Sequence, residues 1–393
     1  MKGTKFKDTE LGKIPEEWDY GKFEDYLDKF SAGATPYRGI ASNFIGTIPW
    51  VSSGELNYNY ITDTREHISQ DAQKSTHLTL HPKGTFLIAI TGLEAAGTRG
   101  RCAFIETPAT TNQSCLAIYS TEKMIVEYLF WFYQQWSDYL AFNFSQGSKQ
   151  QSFTAEIVKK LPIYAPSLSE QQRIASALSD ADALVAELDA LIEKKRAIMA
   201  GTMQELLTGK RRLQGFSEPW VERTIEDFAK ITTGASNTQD QAPFGIFPFY
   251  IRSASVMKSN RFLYDCEGVI TIGDGQIGKV FHYVNGKFDL HQRCYLIYDF
   301  YDVDAKFFYY IFSAFFYERA IALSAKATVD SVRRDMIAKM KVDLPSLAEQ
   351  RAIASILSDM DAEIAELEAK RDKYKEVRQG MMQQLLTGKI RLI

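Results

Sequence analysis

The sequence predicts an α+β chain in which two pseudo-repeated globular α/β domains are separated by two long helices that pair as an antiparallel coiled coil. Three observations carry that prediction: an internal repeat, an apolar heptad pattern inside each copy of it, and strand-like runs with Gly turns outside it. They set a first globular domain over 1–165, a first long helix over 166–213, a second globular domain over 214–344 and a second long helix over 345–393.

Pro166 to Leu213 matches Pro345 to Leu392 at a constant offset of 179, with 28 of 48 positions identical. Self-similarity of that length marks a duplicated structural unit. Each copy opens on Ser-x-x-Glu, Ser167 with Glu170 and Ser346 with Glu349, the capping-box spacing that satisfies the unpaired amides of a first helical turn. Each closes on Leu-Leu-Thr followed by Gly209 or Gly388, where a left-handed C-terminal cap costs Gly nothing sterically. In between, Ile174, Leu178, Ala181, Val185, Leu188 and Ile192 in the first copy, and Ile353, Leu357, Met360, Ile364 and Leu367 in the second, form a heptad seam. About forty residues at ~1.5 Å each make a helix of roughly 60 Å, too long for one core to bury and suited to pairing with its twin. Because each copy follows a globular segment, antiparallel pairing is the natural way to place those segments at opposite ends.

The globular segments echo each other more faintly. Trp18 with Phe23-Glu24-Asp25 is matched by Trp220 with Ile225-Glu226-Asp227, and the apolar run Pro82 to Ile90 by Cys266 to Gly273. Asn112-Gln113 and His291-Gln292 each precede a strand, CLAIY and CYLIY, and an aromatic-rich helix then follows, about Ile125 to Phe144 and Ala305 to Ser324. Short strands with Gly turns, closed by helices, read as an α+β domain.

Composition bounds the rest. A chain of 393 residues with 45% hydrophobic content buries more than one core. No uncharged apolar run is long enough to span a bilayer, and Met1 to Glu10 lacks the apolar stretch of a signal peptide, so a cytoplasmic protein is expected. Cys102, Cys115, Cys266 and Cys294 form no C-x-x-C pair and read as buried free thiols. The net charge of −3, from 46 basic and 49 acidic residues, does not announce a nucleic-acid binder, although a local basic surface can hide in that average.

At this point the chain resembles the DNA specificity subunits of type I restriction-modification systems. The resemblance rests on Gly12-Lys13-Ile14-Pro15 with Glu17-Trp18, the Pro-Ser-Leu-x-Glu-Gln run opening each long helix, the Leu-Leu-Thr-Gly-Lys closing each, and the duplicated layout. It implies two target recognition domains, each reading half of a split, asymmetric site in double-stranded DNA, with the paired helices serving as ruler and docking surface. It also implies two adenine methyltransferase subunits as partners, with motor-nuclease subunits in complexes that cut. S-adenosylmethionine, ATP and Mg would be used by those partners, none being bound by this chain.

The residues agree with a non-catalytic role. No Pro-Pro pair exists for a methyltransferase site, and Gly209-Lys210 and Gly388-Lys389 lack the Ser or Thr of a phosphate loop. The cluster Gly273-Asp274-Gly275-Gln276-Ile277-Gly278-Lys279 reads as a turn, and His67, His77 and His81 match no metal spacing. The aromatic runs Tyr128 to Tyr133 and Phe307 to Tyr310 read as helical core, since a duplex reader does not need stacking platforms.

Base discrimination in the major groove needs Arg or Lys on guanine and amide side chains on adenine, so polar turns are the candidates. In the first domain these are Arg99, Arg101, Asn112, Gln113, Lys149, Gln150 and Gln151. In the second they are Arg252, Gln276, Lys279, His291, Gln292, Arg293, Arg333 and Arg334. Leu184, Leu191, Leu207 and Leu386, read as outer-face residues of the long helices, are candidate partner-docking sites. Two other readings remain open: the specificity subunit of a modification-only complex, and a coiled-coil scaffold whose end domains bind protein.

Overall fold

The computed structural model describes residues 5–93, 100–147, 151–324 and 331–393. Eight α-helices are formed among these: α1 (Phe23–Tyr26), α2 (Gln70–Ser75), α3 (Val126–Phe144), α4 (Ala155–Lys159), α5 (Leu168–Leu206), α6 (Ala305–Ser324), α7 (Arg334–Ala338) and α8 (Leu347–Leu385). The chain divides into two compact units, one of Met1–Glu187 with Arg371–Ile393 and one of Leu188–Lys370, so that each unit holds half of each long helix.

In the first unit a five-stranded sheet runs in the order Leu27–Ala32, Cys115–Ser120, Phe86–Ala89, Cys102–Ile105, Asn59–Ile61. Its central pairs are antiparallel, Cys115 opposite Ala89 and Phe86 opposite Phe104, and only the last pair is parallel. Both faces are covered, and the period of two shows it. Phe86, Ile88, Phe104, Leu116 and Ile118 join the core under α3, whereas Leu87, Ala89, Ala103, Ile105, Cys115 and Ala117 join a smaller core with Val51 and Leu56. The first half of helix α3 is sandwiched: Phe130 packs 5.0 Å from Phe104 of the sheet, while the Trp131 indole donates to Ser179 of α5 at 3.2 Å. The run Tyr128 to Tyr133 is thus core, at most 1% exposed at each position.

The second unit repeats the plan with a six-stranded sheet, ordered Lys230–Thr233, Cys294–Tyr298, Tyr264–Ile272, Phe281–Leu290, Phe247–Tyr250, Met257–Ser259. Helix α6 lies where α3 lies in the first unit. Its Phe308, Phe312 and Phe316 stack at 5.2 and 4.5 Å, and Tyr310, the repeat equivalent of Trp131, donates to Asp361 of α8 at 2.5 Å, with the Ser358 hydroxyl 3.3 Å away.

The long helices pair antiparallel within each unit. In the first, Ile174 and Leu178 share a core with Met382, Leu385 and Leu386, and Arg378 bonds Asp182. In the second, Leu206 and Leu207 share a core with Ile353 and Leu357, and Lys195 and Arg196 pair with Glu363 and Glu368. The expected caps form: Gly209 and Gly388 hold φ of 68° and 66°, and the backbone closes from Arg211 to Glu205 and from Ile390 to Gln384.

The tail beyond each cap reaches across to the start of the other long helix, and there the expected capping box is not completed. Ser167 caps the amide of Glu170 at 3.3 Å, but the Glu170 side chain turns away from the backbone. It is 2% exposed and accepts Nε and Nη2 of Arg391, from the tail of α8, at 2.6 and 2.8 Å, and the Trp18 indole at 3.1 Å. In the other unit the buried Glu349 accepts Nε and Nη2 of Arg212, from the tail of α5, both at 2.7 Å. Beside each glutamate, a buried Gln ties in the aromatic helix: Gln171 accepts the Ile125 amide at 2.8 Å, and Gln350 accepts the Asp304 amide at 2.9 Å.

Removing one partner of a buried charge pair costs more than the pair itself contributes, because the other charge stays buried. Arg391→Met is therefore expected to destabilise the first unit by about 3 kcal/mol, and Glu170→Met/Arg391→Met to recover part of that loss. Denaturant midpoints of the two variants check it; equal losses in both would contradict this reading of the clamp.

Candidate nucleic-acid interface

In the second unit the turns at one end of the sheet converge. The hairpin turn after Tyr264–Ile272 carries Gly275 and Gly278 at φ of 82° and 64°, so the glycine cluster is a turn, as its spacing suggested. Gly278 also sits against α6, where a Cβ would lie 2.9 Å from the Tyr317 backbone. Gln276 and Lys279 are exposed on this turn, with the Lys279 ammonium 5.4 Å from the Tyr317 ring.

Asp274, on the same turn, binds two of the candidate arginines. Arg252 reaches it from the end of Phe247–Tyr250 at 3.1 Å, and Arg293 from the turn before Cys294–Tyr298 at 2.6 Å. Burial pushes the Asp274 carboxyl up, but the bonds from Arg293 and Arg252 outweigh it and hold the group below the ordinary carboxylate value. His291 is 4% exposed and accepts the Arg293 amide on Nδ1 at 3.1 Å. Its burial, then the charge of Arg252, lowers its pKa, which favours the neutral ring with its proton on Nε2. Gln292 is exposed and donates to Asn237. Together Arg252, His291, Gln292 and Arg293 line an open depression of 470 Å³ with Asn237, Thr238 and Gln239. Arg333 and Arg334 are exposed at the start of α7, one and two residues beyond Val332, whose amide bonds Gly273 at 2.7 Å.

The first unit brings its candidates to the corresponding sheet end. The Asn112 amide donates to Val51 at 2.8 Å and its Oδ1 closes the turn onto Ser114 at 3.0 Å, while the exposed Gln113 accepts from Thr35. Ile90 bonds Ser114 at 2.9 Å and Phe153 at 2.8 Å, and the carbonyl of half-buried Gln151 accepts the Leu93 amide at 3.2 Å. Arg101, partly exposed, lines a depression of 600 Å³ with Asn57, Asn59, Tyr60, Asp63 and Arg65. Arg99, Lys149 and Gln150 lie outside the described residues.

Two docking candidates are corrected. Leu207 and Leu386 are 2% and 0% exposed, because the helices end one residue earlier and the cap turns fold them into the globular cores. Leu184 is half-buried, and Leu191 is 38% exposed on α5.

Sequence reasoning missed Asp274 as a partner of two arginines, and it missed the glycines that seat the amide turns. A Cβ on Gly33 would lie 1.9 Å from the Thr111 carbonyl oxygen, and one on Gly234 would lie 2.0 Å from that of Leu290. These approaches hold Thr35 against Gln113 and Asn237 against Gln292. The signal was a Gly-Ala pair in both domains, but at an offset of 201 rather than 179.

No group of three His, Cys, Asp or Glu side chains that could hold a metal is found among the described residues. His81 is buried against the Tyr119 hydroxyl at 2.9 Å with its pKa pushed down to about 4 by burial, and His67 pairs with Asp63. The cysteines are free; burial raises their thiols, that of Cys294 to about 12. Among the described residues no helix is long and apolar enough to cross a membrane.

Residues 15–195 and 217–376 match the model of the type I restriction modification DNA specificity domain, once on each half of the duplication. The chain belongs to that family. It is 35% identical over 187 residues to the type I restriction enzyme MjaIX specificity subunit of Methanocaldococcus jannaschii, covering 46% of this chain and 42% of that relative. The putative MjaX specificity subunit of the same organism is 24% identical over 98% of this chain and 97% of its own length. In fold, the chain is similar to the crystal structure of a type I restriction-modification S subunit from M. genitalium, with a TM-score of 0.68 at 14% identity, covering 94% of this chain and 96% of that one.

If these specificity-family turns depend on the two glycines, Gly33→Ala and Gly234→Ala will each damage only their own unit. Hydrogen exchange is expected to lose protection around Thr111 in the first variant and around Leu290 in the second. Protection lost in both units by either variant would contradict the assignment.

Proposed function

We propose that this chain is the DNA-reading subunit of a type I restriction-modification complex, binding a bipartite duplex site with one half read by each globular domain. The observation that supports it best is the duplication of a polar sheet end: Arg252, Gln292 and Arg293 in one unit, Arg101, Asn112 and Gln113 in the other. Arginine and amide side chains on turns are the chemistry that tells base pairs apart in the major groove. On this reading Arg333, Arg334, Gln276 and Lys279 serve phosphate or base contact around the same turn. The chain itself transfers no methyl group and cuts no DNA; S-adenosylmethionine, ATP and Mg serve the methyltransferase and motor-nuclease partners.

Helices α5 and α8 contain 39 residues each, about 58 Å at 1.5 Å per residue, longer than the ~34 Å turn of a duplex. We propose that they set the gap between half-sites and dock two methyltransferase subunits, with Leu184 and Leu191 in the docking surface. The near-neutral charge also permits a second reading, a protein-binding scaffold without DNA.

Adenine-methylation mapping separates them, in cells carrying this chain with its methyltransferase partner against cells carrying the partner alone. A bipartite motif that requires this chain is expected; unchanged methylation with the complex assembled would favour the scaffold. Inserting four residues into one long helix is expected to change the gap and leave both half-sequences intact. Recovery of the original gap would contradict the ruler.

A further inference from the structure

We propose that Asp274 is a specificity-determining positioning residue of the second domain: one carboxylate holds Arg252 and Arg293 by a single terminal nitrogen each and leaves their remaining edges to read guanine. The inference rests on the DNA-reading function proposed above and adds the base class and the residue that sets it. Arg252 places only Nη1 on Asp274, at 3.1 and 3.2 Å from the two oxygens, and Arg293 places only Nη1 on Oδ2, at 2.6 Å. Among the described residues neither guanidinium makes another hydrogen bond. Nε and Nη2 of each thus remain as the paired donors that match O6 and N7 of guanine.

Arg38 in the first domain shows the contrast. Its two terminal nitrogens are both spent on Glu66, at 2.9 Å each, and its guanidinium lies 4.6 Å from the Phe44 ring. One carboxylate thus takes both terminal nitrogens of one arginine there, whereas Asp274 takes a single terminal nitrogen from each of two.

The backbone under the pair is fixed from three directions. Gly273 donates to Arg293 at 2.8 Å, Val332 donates to Gly273 at 2.7 Å, and His291 donates to Tyr250, two residues before Arg252, at 3.0 Å. A Cβ on Gly273 would lie 2.7 Å from the Arg293 carbonyl oxygen, so this approach needs glycine. Stability does not account for the arrangement: the arginine side chains are 44% and 61% exposed, and ion pairs of that kind contribute little. Holding two arginines on one carboxylate does two other things. It pre-orders the reading edges, lowering the entropy lost on binding, and it withholds both charges from DNA phosphates, which carry no sequence information. Asp274 thus lowers sequence-independent affinity while leaving guanine recognition in place, which widens the ratio between right and wrong sites.

The test uses the assembled methyltransferase complex carrying Asp274→Asn, Asp274→Glu, Arg252→Ala or Arg293→Ala, read by methylation mapping and by salt titration of binding to a duplex lacking the site. Each arginine variant is expected to lose guanine preference about tenfold or more at a different position of the second half-site. Asp274→Asn is expected to relax those same positions, with the first half-site and the gap unchanged. It should also steepen the non-specific log–log salt slope by about 1–2 as freed arginines reach phosphates. Asp274→Glu, which keeps the charge, should restore part of the preference. An unchanged motif and slope in Asp274→Asn would overturn the proposal. So would a uniform loss of methylation at both halves with a lowered melting midpoint in both Asp274 variants, which would make the residue structural. If the unaltered chain gives no bipartite motif at all, the DNA-reading function itself fails and takes this inference with it.

Discussion

A glutamate buried at the start of a helix must find a positive partner, and in this chain the partner comes from the tail of the other long helix. Arg391 answers Glu170 in one unit and Arg212 answers Glu349 in the other, each through two hydrogen bonds of 2.8 Å or less. That exchange constrains much of the remaining structure. Within a unit the helices have to run antiparallel, and their register is set where the arginine meets the glutamate. The left-handed glycine after each helix has to turn the chain back, since a straight exit would carry the arginine away. The neighbouring glutamines then attach the aromatic helices, and through them the sheets whose ends carry the polar turns.

The sheet ends add a second constraint. Where the central strands are buried, as at Phe86–Ala89 and Cys102–Ile105 in the first unit, the turns at their ends are what they offer to solvent, and partner-contacting residues are sought there. Both units use them alike: a glycine pressed against a carbonyl oxygen seats one segment beside the strand end, and an amide side chain binds across the gap. The side chains differ, Asn112 and Gln113 in one unit against His291, Gln292 and Arg293 in the other, as a reader of two unlike half-sites would require.

The elements were legible where the signal is local and periodic. The long helices, their glycine caps and the aromatic helices follow from heptad spacing and the repeat, and α3 and α6 begin and end within a residue of their sequence ranges. Long-range pairing was not legible. Ser167 and Glu170 have the spacing of a capping box, and no local rule shows that the carboxylate is taken by a residue 221 positions away. Leu207 and Leu386 were placed on outer faces by extending the helical pattern past the last helical residue, where the chain has already turned inward. Asp274 was hidden by its neighbours, since a glycine-rich turn draws attention to backbone conformation and gives no hint that two distant arginines converge on its one carboxylate.

We propose that the two units of this chain read two separate stretches of one duplex. Hydroxyl-radical footprinting of the methyltransferase complex on a duplex bearing its mapped site tests it most directly. Two protected stretches with an accessible gap between them are predicted, with Arg252→Ala weakening protection at one stretch only. A single continuous footprint, or equal weakening of both stretches by that substitution, would contradict it.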